Sequence, residues 1–372
     1  MPDSAGLQEQ IAQELQRRGE MSFAEFMSMA LYTPGLGYYE QSRPIVGRRG
    51  DFYTSVSVGS LFGELLAFQM VQWLESLPPT GPLHLAECGA HNGQLALDIL
   101  THLQSYHPHL FSRVQLWLVE PSSTRKAWQK QTLQSHASQV HWAQDLDDLH
   151  QQTGGLRGVF YSNELLDAFP VHRVIWNRAL GVWQELGVGL GSAGEFVWKP
   201  ITSSLPAAEE RIQHLNQLPR ELLEVVPEGF LTEVAPAATA WWSQAAQVLK
   251  QGRLVTFDYG LASEEFLMPQ RSQGTLRTYA RHRPGGDPLS DPGQQDLTAH
   301  VHFSALDQAG VEAGLSTEGC ESQRGWLTRV LGKTLRANGL FPEWDSRRVR
   351  QFQTLTHPEH LGQAFRVLVQ VR

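Results

Sequence analysis

The spacing of apolar residues predicts that this chain begins with helices. Over positions 7–15 apolar residues recur every four positions, which is the spacing of one helix face. Ser22 and Glu25 form a capping-box pattern, which predicts a second helix that ends near Thr33. After a region rich in glycine, tyrosine and serine, a strongly apolar helix is predicted over 61–77.

Beyond residue 80 the pattern changes to short apolar strands that alternate with helices. Strands are predicted over 83–88, 114–119, 140–142, 158–162 and 253–258, and helices over 93–104, 122–134 and 236–249. Such alternation predicts parallel βαβ units with right-handed crossovers, and therefore an α/β fold. The remaining predicted elements are helices over 303–312 and 324–337 and strands over 316–320 and 365–371.

Two segments interrupt this alternation. Residues 171–199 contain three short runs that are typical of an inserted antiparallel ribbon. Residues 262–299 are rich in proline and glycine, which predicts a long loop of a kind that is usually either functional or disordered. We therefore divide the chain into an N-terminal helical and loop region, 1–60, and a main domain, 61–372, that contains both segments.

Composition narrows the class of protein. A chain of 372 residues, of which 41% are hydrophobic, can bury a large core. The net charge of −8 disfavours a nucleic-acid partner, and no apolar stretch is long enough to span a membrane. Two cysteines form no disulfide framework, and the first twenty residues lack a signal or transit pattern. We expect a cytoplasmic protein, and the oligomeric state stays open.

A glycine-containing turn follows the first strand of the main domain. Glu87 lies near the end of that strand, and Gly89 and Gly93 flank the start of the next helix. Glycine lets a ligand approach the backbone, and a helix N-terminus offers unpaired N–H groups. A dinucleotide site would read G-x-G-x-x-G, and the Glu87 carboxylate would attract an α-amino group rather than a pyrophosphate. The turn favours S-adenosylmethionine over NAD, with a generic βα turn as the alternative.

Acidic residues follow the next two strands. Glu120 ends the strand over 114–119, where a carboxylate accepts hydrogen bonds from ribose hydroxyls. An acid that favours the following helix N-terminus is the alternative. Asp145 follows the strand over 140–142 and is a candidate contact of an adenine amino group. A solvated acid is the alternative for Asp145, since runs of charge usually face water.

The strand over 158–162 ends in a polar cluster. Asn163, Glu164 and Asp167 bring an amide and two carboxylates to the sheet edge where ligands of α/β proteins bind, which suits capture of a cationic reactant. Asp258-Tyr259-Gly260 ends a later strand and either lines the same cleft or forms a turn. His300 and His302 share one strand face, but no third ligand completes a set, so no metal site is predicted.

Together these stretches resemble the MidA family of class I methyltransferases. The resemblance runs from about residue 23 to 371 and rests on Gly50-Asp51-Phe52-Tyr53-Thr54-Ser55, Leu61-Phe62-Gly63-Glu64-Leu65, the 87–93 turn, Asn163-Glu164-Leu165-Leu166-Asp167-Ala168-Phe169-Pro170, Phe257-Asp258-Tyr259-Gly260, Asp296-Leu297-Thr298-Ala299-His300-Val301 and Phe365-Arg366-Val367-Leu368. It implies a Rossmann-like seven-stranded sheet whose final strand is antiparallel, S-adenosylmethionine as methyl donor, and arginine of a protein as acceptor. The mitochondrial members of this family assist assembly of respiratory complex I, so a complex I subunit is the implied partner.

The resemblance also assigns site residues. The implied donor-binding residues are Asp51, Thr54, Ser55, Glu87, Gly89, Gly93, Glu120, Asp145 and Asn163. Asn163 and Glu164 are implied to face the reactive sulfonium. Our hypothesis adds that Glu164 and Asp167 hold the guanidinium and that one of them, or a water, accepts its proton. The segments 51–55 and 262–299 are the candidate lids that exclude water.

One position departs from the family pattern. The family turn reads E-x-G-x-G-x-G, and His91 stands where the middle glycine belongs. A histidine tolerates a positive φ better than most residues, but its ring would compete for space with the amino-acid end of the donor. A scaffold that grips a partner protein in the same cleft is therefore the alternative function. A nicotinamide-dependent dehydrogenase is disfavoured because its glycine fingerprint is missing.

Overall fold

The fold was obtained as a computed structural model that describes residues 4–41, 54–79, 81–201, 206–280, 283–359 and 361–372. The helices are α1 (Ser4–Arg18), α2 (Phe23–Tyr32), α3 (Leu61–Glu75), α4 (Gln94–Tyr106), α5 (Pro108–Phe111), α6 (Ser123–Thr132), α7 (Leu146–Thr153), α8 (Pro206–Asn216), α9 (Arg220–Val225), α10 (Pro236–Val248), α11 (Ser263–Phe266), α12 (Phe303–Glu312), α13 (Gln323–Thr334), α14 (Ser346–Leu355) and α15 (Leu361–Ala364). The strands are β1 (Leu83–Cys88), β2 (Val114–Val119), β3 (Val140–Ala143), β4 (Leu156–Asn163), β5 (His172–Asn177), β6 (Val182–Leu190), β7 (Phe196–Pro200), β8 (Leu231–Val234), β9 (Leu249–Leu261), β10 (Arg277–Ala280), β11 (Arg283–Pro284), β12 (Asp296–Thr298), β13 (Val301–His302), β14 (Ser316–Ser322) and β15 (Phe365–Val371).

The central sheet has the strand order β14-β15-β9-β4-β1-β2-β3, and β13 pairs with β9 beside this path. Strands β3, β2, β1, β4 and β9 run parallel to one another, whereas β15 is antiparallel to both β9 and β14. The predicted Rossmann-like α/β sheet of seven strands with an antiparallel final strand is therefore confirmed. Strand β4 is the middle strand of this order and β1 lies next to it, so the carboxyl ends of both are in the interior of the sheet edge.

Helices cover both faces of this sheet. On one face α3, α4 and α13 bury a core in which the rings of Phe62 and Trp326 both lie edge-on to Phe257 of β9. On the other face α7, α10 and α12 pack over β1, β4 and β9, with Trp242 fully buried. Burial on both faces agrees with the apolar stretch 159–161 of β4 and with the complete burial of β1, which includes the polar residues His84 and Glu87. No helix in the described part of the chain is both long and apolar enough to cross a membrane.

The predicted ribbon insertion is confirmed and is larger than expected. Strands β5, β6 and β7 form an antiparallel ribbon, and β8 joins it as a fourth strand beside β5. Helices α8 and α9 lie between β7 and β8 in the chain. The N-terminal helices pack on this insertion, since Met21 pairs with Val188 of β6 through two backbone hydrogen bonds. The division of the chain into 1–60 and 61–372, made from sequence, stays a prediction.

The prediction of a long loop over 262–299 is wrong in part. This segment contains α11 and the three-stranded sheet β11-β10-β12. These strands have two to four residues each, too few for a clear alternation of apolar and polar positions. Buried Leu276 and Leu297 attach the segment to the same core as α1 and α2. Tertiary packing therefore orders a segment whose local sequence predicts a loop.

Candidate active site

A cavity of about 320 Å³ opens at the carboxyl ends of β1, β4 and β9. It is lined by the turn between β1 and α4, by the segment that follows β4, and by tyrosines from other parts of the chain. Six of the predicted site residues line it, namely Thr54, Glu87, Gly89, Asn163, Glu164 and Asp167. The structure thus brings the glycine turn and the polar cluster after β4 into one cavity.

The turn between β1 and α4 is built from left-handed residues. Gly89 has φ 78° and Gly93 has φ 84°, and His91 between them has φ 46°. Only glycine adopts this region without strain, so the family preference for glycine at position 91 has a backbone reason. At Gly89 space is also limiting, since a Cβ there would lie 2.9 Å from Cδ1 of Leu165.

His91 lines the cavity with a buried imidazole. Its Nε2 has no hydrogen-bond partner, and burial, followed by the charge of Arg125, lowers its pKa to about 4. The ring is therefore neutral at neutral pH and lies 5.9 Å from the ring of Trp128. A buried polar nitrogen without a partner, on a residue that lines a cavity, is a position where a ligand atom can complete the hydrogen bonding.

Glu87 is the buried acid of this turn. Its carboxylate accepts a hydrogen bond of 3.0 Å from the hydroxyl of Tyr161, and only 3% of the residue is exposed. Burial raises the pKa of Glu87 to about 8. A cationic group in the cavity would favour the ionised carboxylate, so this position suits an amino group.

Asn163 and Glu164 lie where β4 ends. The amide nitrogen of Asn163 donates to Oε1 of Glu164 at 3.1 Å, and the amide oxygen is buried without a partner. Glu164 has φ 51°, a strained value for this residue, and its backbone N–H donates to Phe257 of β9. Burial and then the charge of Asp167 raise the pKa of Glu164 to about 8. Strained residues of this kind concentrate at functional sites.

Asp258 holds this segment in place from β9. Its carboxylate accepts hydrogen bonds from the backbone N–H groups of Leu165, Leu166 and Tyr259 at 3.2, 2.8 and 2.8 Å. Asp258 is fully buried and is not among the residues that line the cavity. Of the two interpretations of Asp258, the structure favours the turn. Asp167 lies beside Glu164 at the cavity wall. Burial raises the pKa of Asp167 to about 7.

Glu120 and Asp145 do not line the cavity. The Glu120 carboxylate accepts from the backbone of Ser122 at 3.0 Å and from Nε2 of Gln129 at 2.9 Å. Asp145 is exposed and caps α7 by accepting from the backbone N–H of Asp148 at 2.8 Å. Both side chains therefore serve the local roles given above as alternatives, and their donor contacts stay predictions.

The predicted N-terminal donor loop is only partly described. Asp51 lies outside the described residues. Thr54 lines the cavity, whereas Ser55 is fully buried behind it and donates to the side chain of Gln323 at 3.2 Å. The Ser55 backbone N–H donates to Glu164 Oε1 at 3.4 Å. This loop therefore supports the position of Glu164.

Sequence analysis indicated only part of the other wall, through the segment 258–260 and the predicted lid 262–299, and missed Tyr32 and Tyr39. This wall contains Tyr32, Tyr39, Tyr259, Tyr279 and Asp296. Four of these five residues belong to segments interpreted from sequence as helix or loop, and they come together only through tertiary packing. Gln129 was also missed: it is fully buried and connects Glu120, His91 and Trp142. A buried glutamine on an otherwise polar helix gives no sequence signal.

The family follows from comparison with known proteins. Residues 65–321 match a family model described as "Putative S-adenosyl-L-methionine-dependent methyltransferase". The chain belongs to this family. The resemblance to MidA-type methyltransferases is confirmed, and S-adenosyl-L-methionine is the cofactor of the family.

Solved structures and curated relatives agree with this assignment. A Burkholderia thailandensis protein, crystallised with S-adenosyl-homocysteine bound, is 31% identical with a TM-score of 0.82, over 99% of this chain and 92% of its own. The Drosophila melanogaster "Protein arginine methyltransferase NDUFAF7 homolog, mitochondrial" is 27% identical over 97% of this chain and 84% of its own. The Homo sapiens "Protein arginine methyltransferase NDUFAF7, mitochondrial" is 27% identical over 95% and 80%. The predicted cytoplasmic location is wrong on this comparison, because these curated relatives are mitochondrial proteins.

Proposed function

We propose that this protein transfers the methyl group of S-adenosylmethionine to an arginine side chain of another protein. The observation that carries the proposal is the shared cavity, in which Glu164 and Asp167 lie opposite the glycine turn that begins at Gly89. The names of the curated relatives, which are protein arginine methyltransferases, support arginine as the acceptor.

The residues of the cavity fit the donor. Its volume of about 320 Å³ is within the range of small-molecule sites. His91 Nε2 and Asn163 Oδ1 are buried polar atoms without partners, and Glu87 is an acid whose ionised form a cation would favour. We assign the amino-acid end of the donor to Glu87, His91 and Asn163, and the close backbone approach to Gly89. When bound, S-adenosylmethionine supplies a methyl group on a positively charged sulfur.

Glu164 and Asp167 prepare the acceptor. Two carboxylates side by side match the paired N–H groups of a planar guanidinium, and this geometry selects arginine over lysine. Hydrogen bonds to its other nitrogens orient the nitrogen that is to be methylated. Since the pKa values of Glu164 and Asp167 are raised to about 8 and about 7, either carboxylate can accept the released proton near neutral pH.

Labelled methyl transfer to a cognate lysate tests the proposal. Glu164→Gln and Asp167→Asn each keep the side-chain shape and remove the carboxylate, so we expect transfer to fall by at least roughly 100-fold. Asp147→Asn, an exposed acid of α7, is the control and should label at the wild-type rate. Labelling of the same band by all variants at the wild-type rate would overturn the assignment of the two carboxylates.

Donor binding separates the enzyme from the scaffold alternative. The observation in favour of a scaffold is that the His91 imidazole lies at the donor end of the cavity. We expect calorimetry to detect S-adenosyl-homocysteine binding to the wild-type protein in the micromolar range, about −8 kcal/mol. Undetectable binding at millimolar ligand would favour a scaffold that uses the cavity to grip a partner.

We further propose that the acceptor arginine belongs to a subunit of respiratory complex I. The resemblance to the MidA family supports this partner. The test is labelled transfer to solubilised complex I from a strain that lacks this gene, compared with complex I from its parent. A labelled subunit in the deletion sample supports the proposal, whereas labelling confined to other proteins contradicts it.

A further inference from the structure

Four tyrosines line the cavity on the side of Glu164 and Asp167. Tyr32 and Tyr39 come from the N-terminal segment, Tyr259 from the end of β9 and Tyr279 from β10. The rings of Tyr32 and Tyr39 stack with centroids 5.6 Å apart. Three separate parts of the chain thus supply aromatic rings to one end of a single cavity.

Hydrogen bonds fix this wall against the acceptor carboxylates. The Tyr32 hydroxyl donates to the backbone carbonyl of Ala168, next to Asp167, at 2.7 Å. The Tyr39 hydroxyl donates to Oδ2 of Asp296 at 3.0 Å. The backbone N–H of Ala299 donates to the carbonyl of Asp167 at 2.9 Å, which attaches the segment after β12 to the same turn. The tyrosine wall and the Asp167 turn are therefore one connected unit.

The four phenols are neutral. Burial first, and then the charge of neighbouring acids that include Asp167, raises the pKa of each tyrosine above its ordinary value. A neutral aromatic ring presents a negative face to a cation, whereas the two carboxylates accept N–H groups in the plane of that cation. Both features fit a planar guanidinium, and an ammonium group, which is compact and strongly hydrated, uses the rings less well.

We propose that Tyr32, Tyr259 and Tyr279 form an aromatic cage that binds the acceptor arginine above Glu164 and Asp167, beside Tyr39, whose ring already carries the guanidinium of Arg125 at 5.3 Å from its centroid. This inference rests on the proposed arginine methyltransferase function and names the residues that select its substrate. The tyrosine rings pack against the two faces of the arginine guanidinium and exclude water from the carboxylates of Glu164 and Asp167. The donor end of the cavity, at Glu87 and Gly89, is formed by other residues.

The test compares ring removal with ring retention at Tyr279, which is half-buried and on a short strand. The probe is the peptide acetyl-Gly-Arg-Gly-amide, bound to protein saturated with S-adenosyl-homocysteine, and the matched peptide carries lysine. We expect Tyr279→Leu to weaken binding of the arginine peptide by roughly five- to thirtyfold. Tyr279→Phe keeps the ring and should stay within about threefold of wild type. Tyr106→Leu, on α4 outside the cavity, is the control.

Donor affinity keeps this test separate from the proposed function. All three variants should bind S-adenosyl-homocysteine like the wild-type protein, which shows that they are folded. Wild-type affinity of Tyr279→Leu for the arginine peptide would overturn the cage. Equal affinity of the wild-type protein for the arginine and lysine peptides would also overturn it. Failure of the wild-type protein to bind the donor would instead overturn the methyltransferase proposal.

Discussion

Gln129 connects the donor turn to the end of β2, and its removal should destabilise the protein measurably. The side chain is fully buried. Its amide nitrogen donates to Oε2 of Glu120 at 2.9 Å and to the carbonyl of His91 at 3.0 Å. Its amide oxygen accepts from Nε1 of Trp142 at 2.9 Å. One side chain therefore satisfies a carboxylate, a carbonyl in a left-handed turn and an indole.

The substitution Gln129→Met keeps the length of the side chain and removes all three hydrogen bonds. The two neutral bonds contribute roughly 0.5 to 1.5 kcal/mol each, and the bond to a carboxylate roughly 1.5 to 3 kcal/mol. We therefore expect the free energy of unfolding to fall by about 4 kcal/mol, which lowers the urea midpoint by roughly 1 M. The affinity for S-adenosyl-homocysteine should fall at least about tenfold, because the His91 turn loses its anchor.

Urea unfolding followed by tryptophan fluorescence measures the first quantity, and calorimetry measures the second. Gln131→Met is the matched control, since Gln131 lies exposed on the same helix and the substitution is the same. The control should change the free energy of unfolding by less than about 0.5 kcal/mol. A loss below 1 kcal/mol for Gln129→Met would show that Gln129 does not hold the turn, and would refute the reasoning.

Three further predictions concern the acids and the glycine turn. Gly89→Ala should lower the free energy of unfolding in urea by about 2 to 4 kcal/mol, because the alanine adds both φ strain and a close contact with Leu165. Gly154→Ala, with φ 64° and no atom near its Cβ, should show the strain alone, about 1 to 2 kcal/mol. Equal losses for the two variants would contradict the Leu165 contact. Because the folded-state pKa of Glu87 is raised from 4.5 to about 8, the wild-type protein loses stability as pH rises through that window. Glu87→Gln should therefore be more stable than wild type at pH 8 by at least about 1 kcal/mol while binding the donor less tightly, and a less stable variant would refute the assignment. Since the pKa values of Asp167 and Glu164 are raised to about 7 and about 8, affinity for the arginine peptide should rise from about pH 6 to about pH 9 and then level off. Glu164→Gln should remove the upper part of this rise, and a flat profile would count against the carboxylate pair.

The central sheet could be predicted from sequence because its information is local. Each strand of the parallel core is an apolar run bounded by turn residues, and the predicted bounds of β1 and β2 agree with the structure. Helix α14 was missed because its ten residues include few apolar side chains, even though Leu355 is buried. Strands β10 to β12 were missed because they are short and depend on packing against α1 and α2.

The site, like the sheet, could be predicted from sequence where its residues lie at strand ends. Gly89, Asn163 and Glu164 lie at the ends of strands, so the fold class alone places them at one sheet edge. Glu120 and Asp145 follow the same rule in sequence, but the structure shows their carboxylates in local caps. A strand-end position locates a residue at the edge and does not determine where its side chain points. The direction of each side chain is determined by nearby hydrogen-bond donors, here the backbone N–H groups of Ser122 and Asp148.

The two ends of the cavity therefore differ in how they are encoded. The donor end comes mainly from one continuous turn, 87–93, held from behind by Gln129, and Asn163 at the end of β4 completes it. The acceptor end is assembled from the segment after β4, the end of β9, the N-terminal segment and the region around β10 and β12. Substitutions at Tyr32 or Tyr279 can change the acceptor wall without a change in the donor turn. We infer that acceptor specificity in this fold can vary while the methyl donor stays the same, because the tyrosine wall lies outside the 87–93 turn and the two ends meet at the hydrogen bond of 3.1 Å between Asn163 and Glu164.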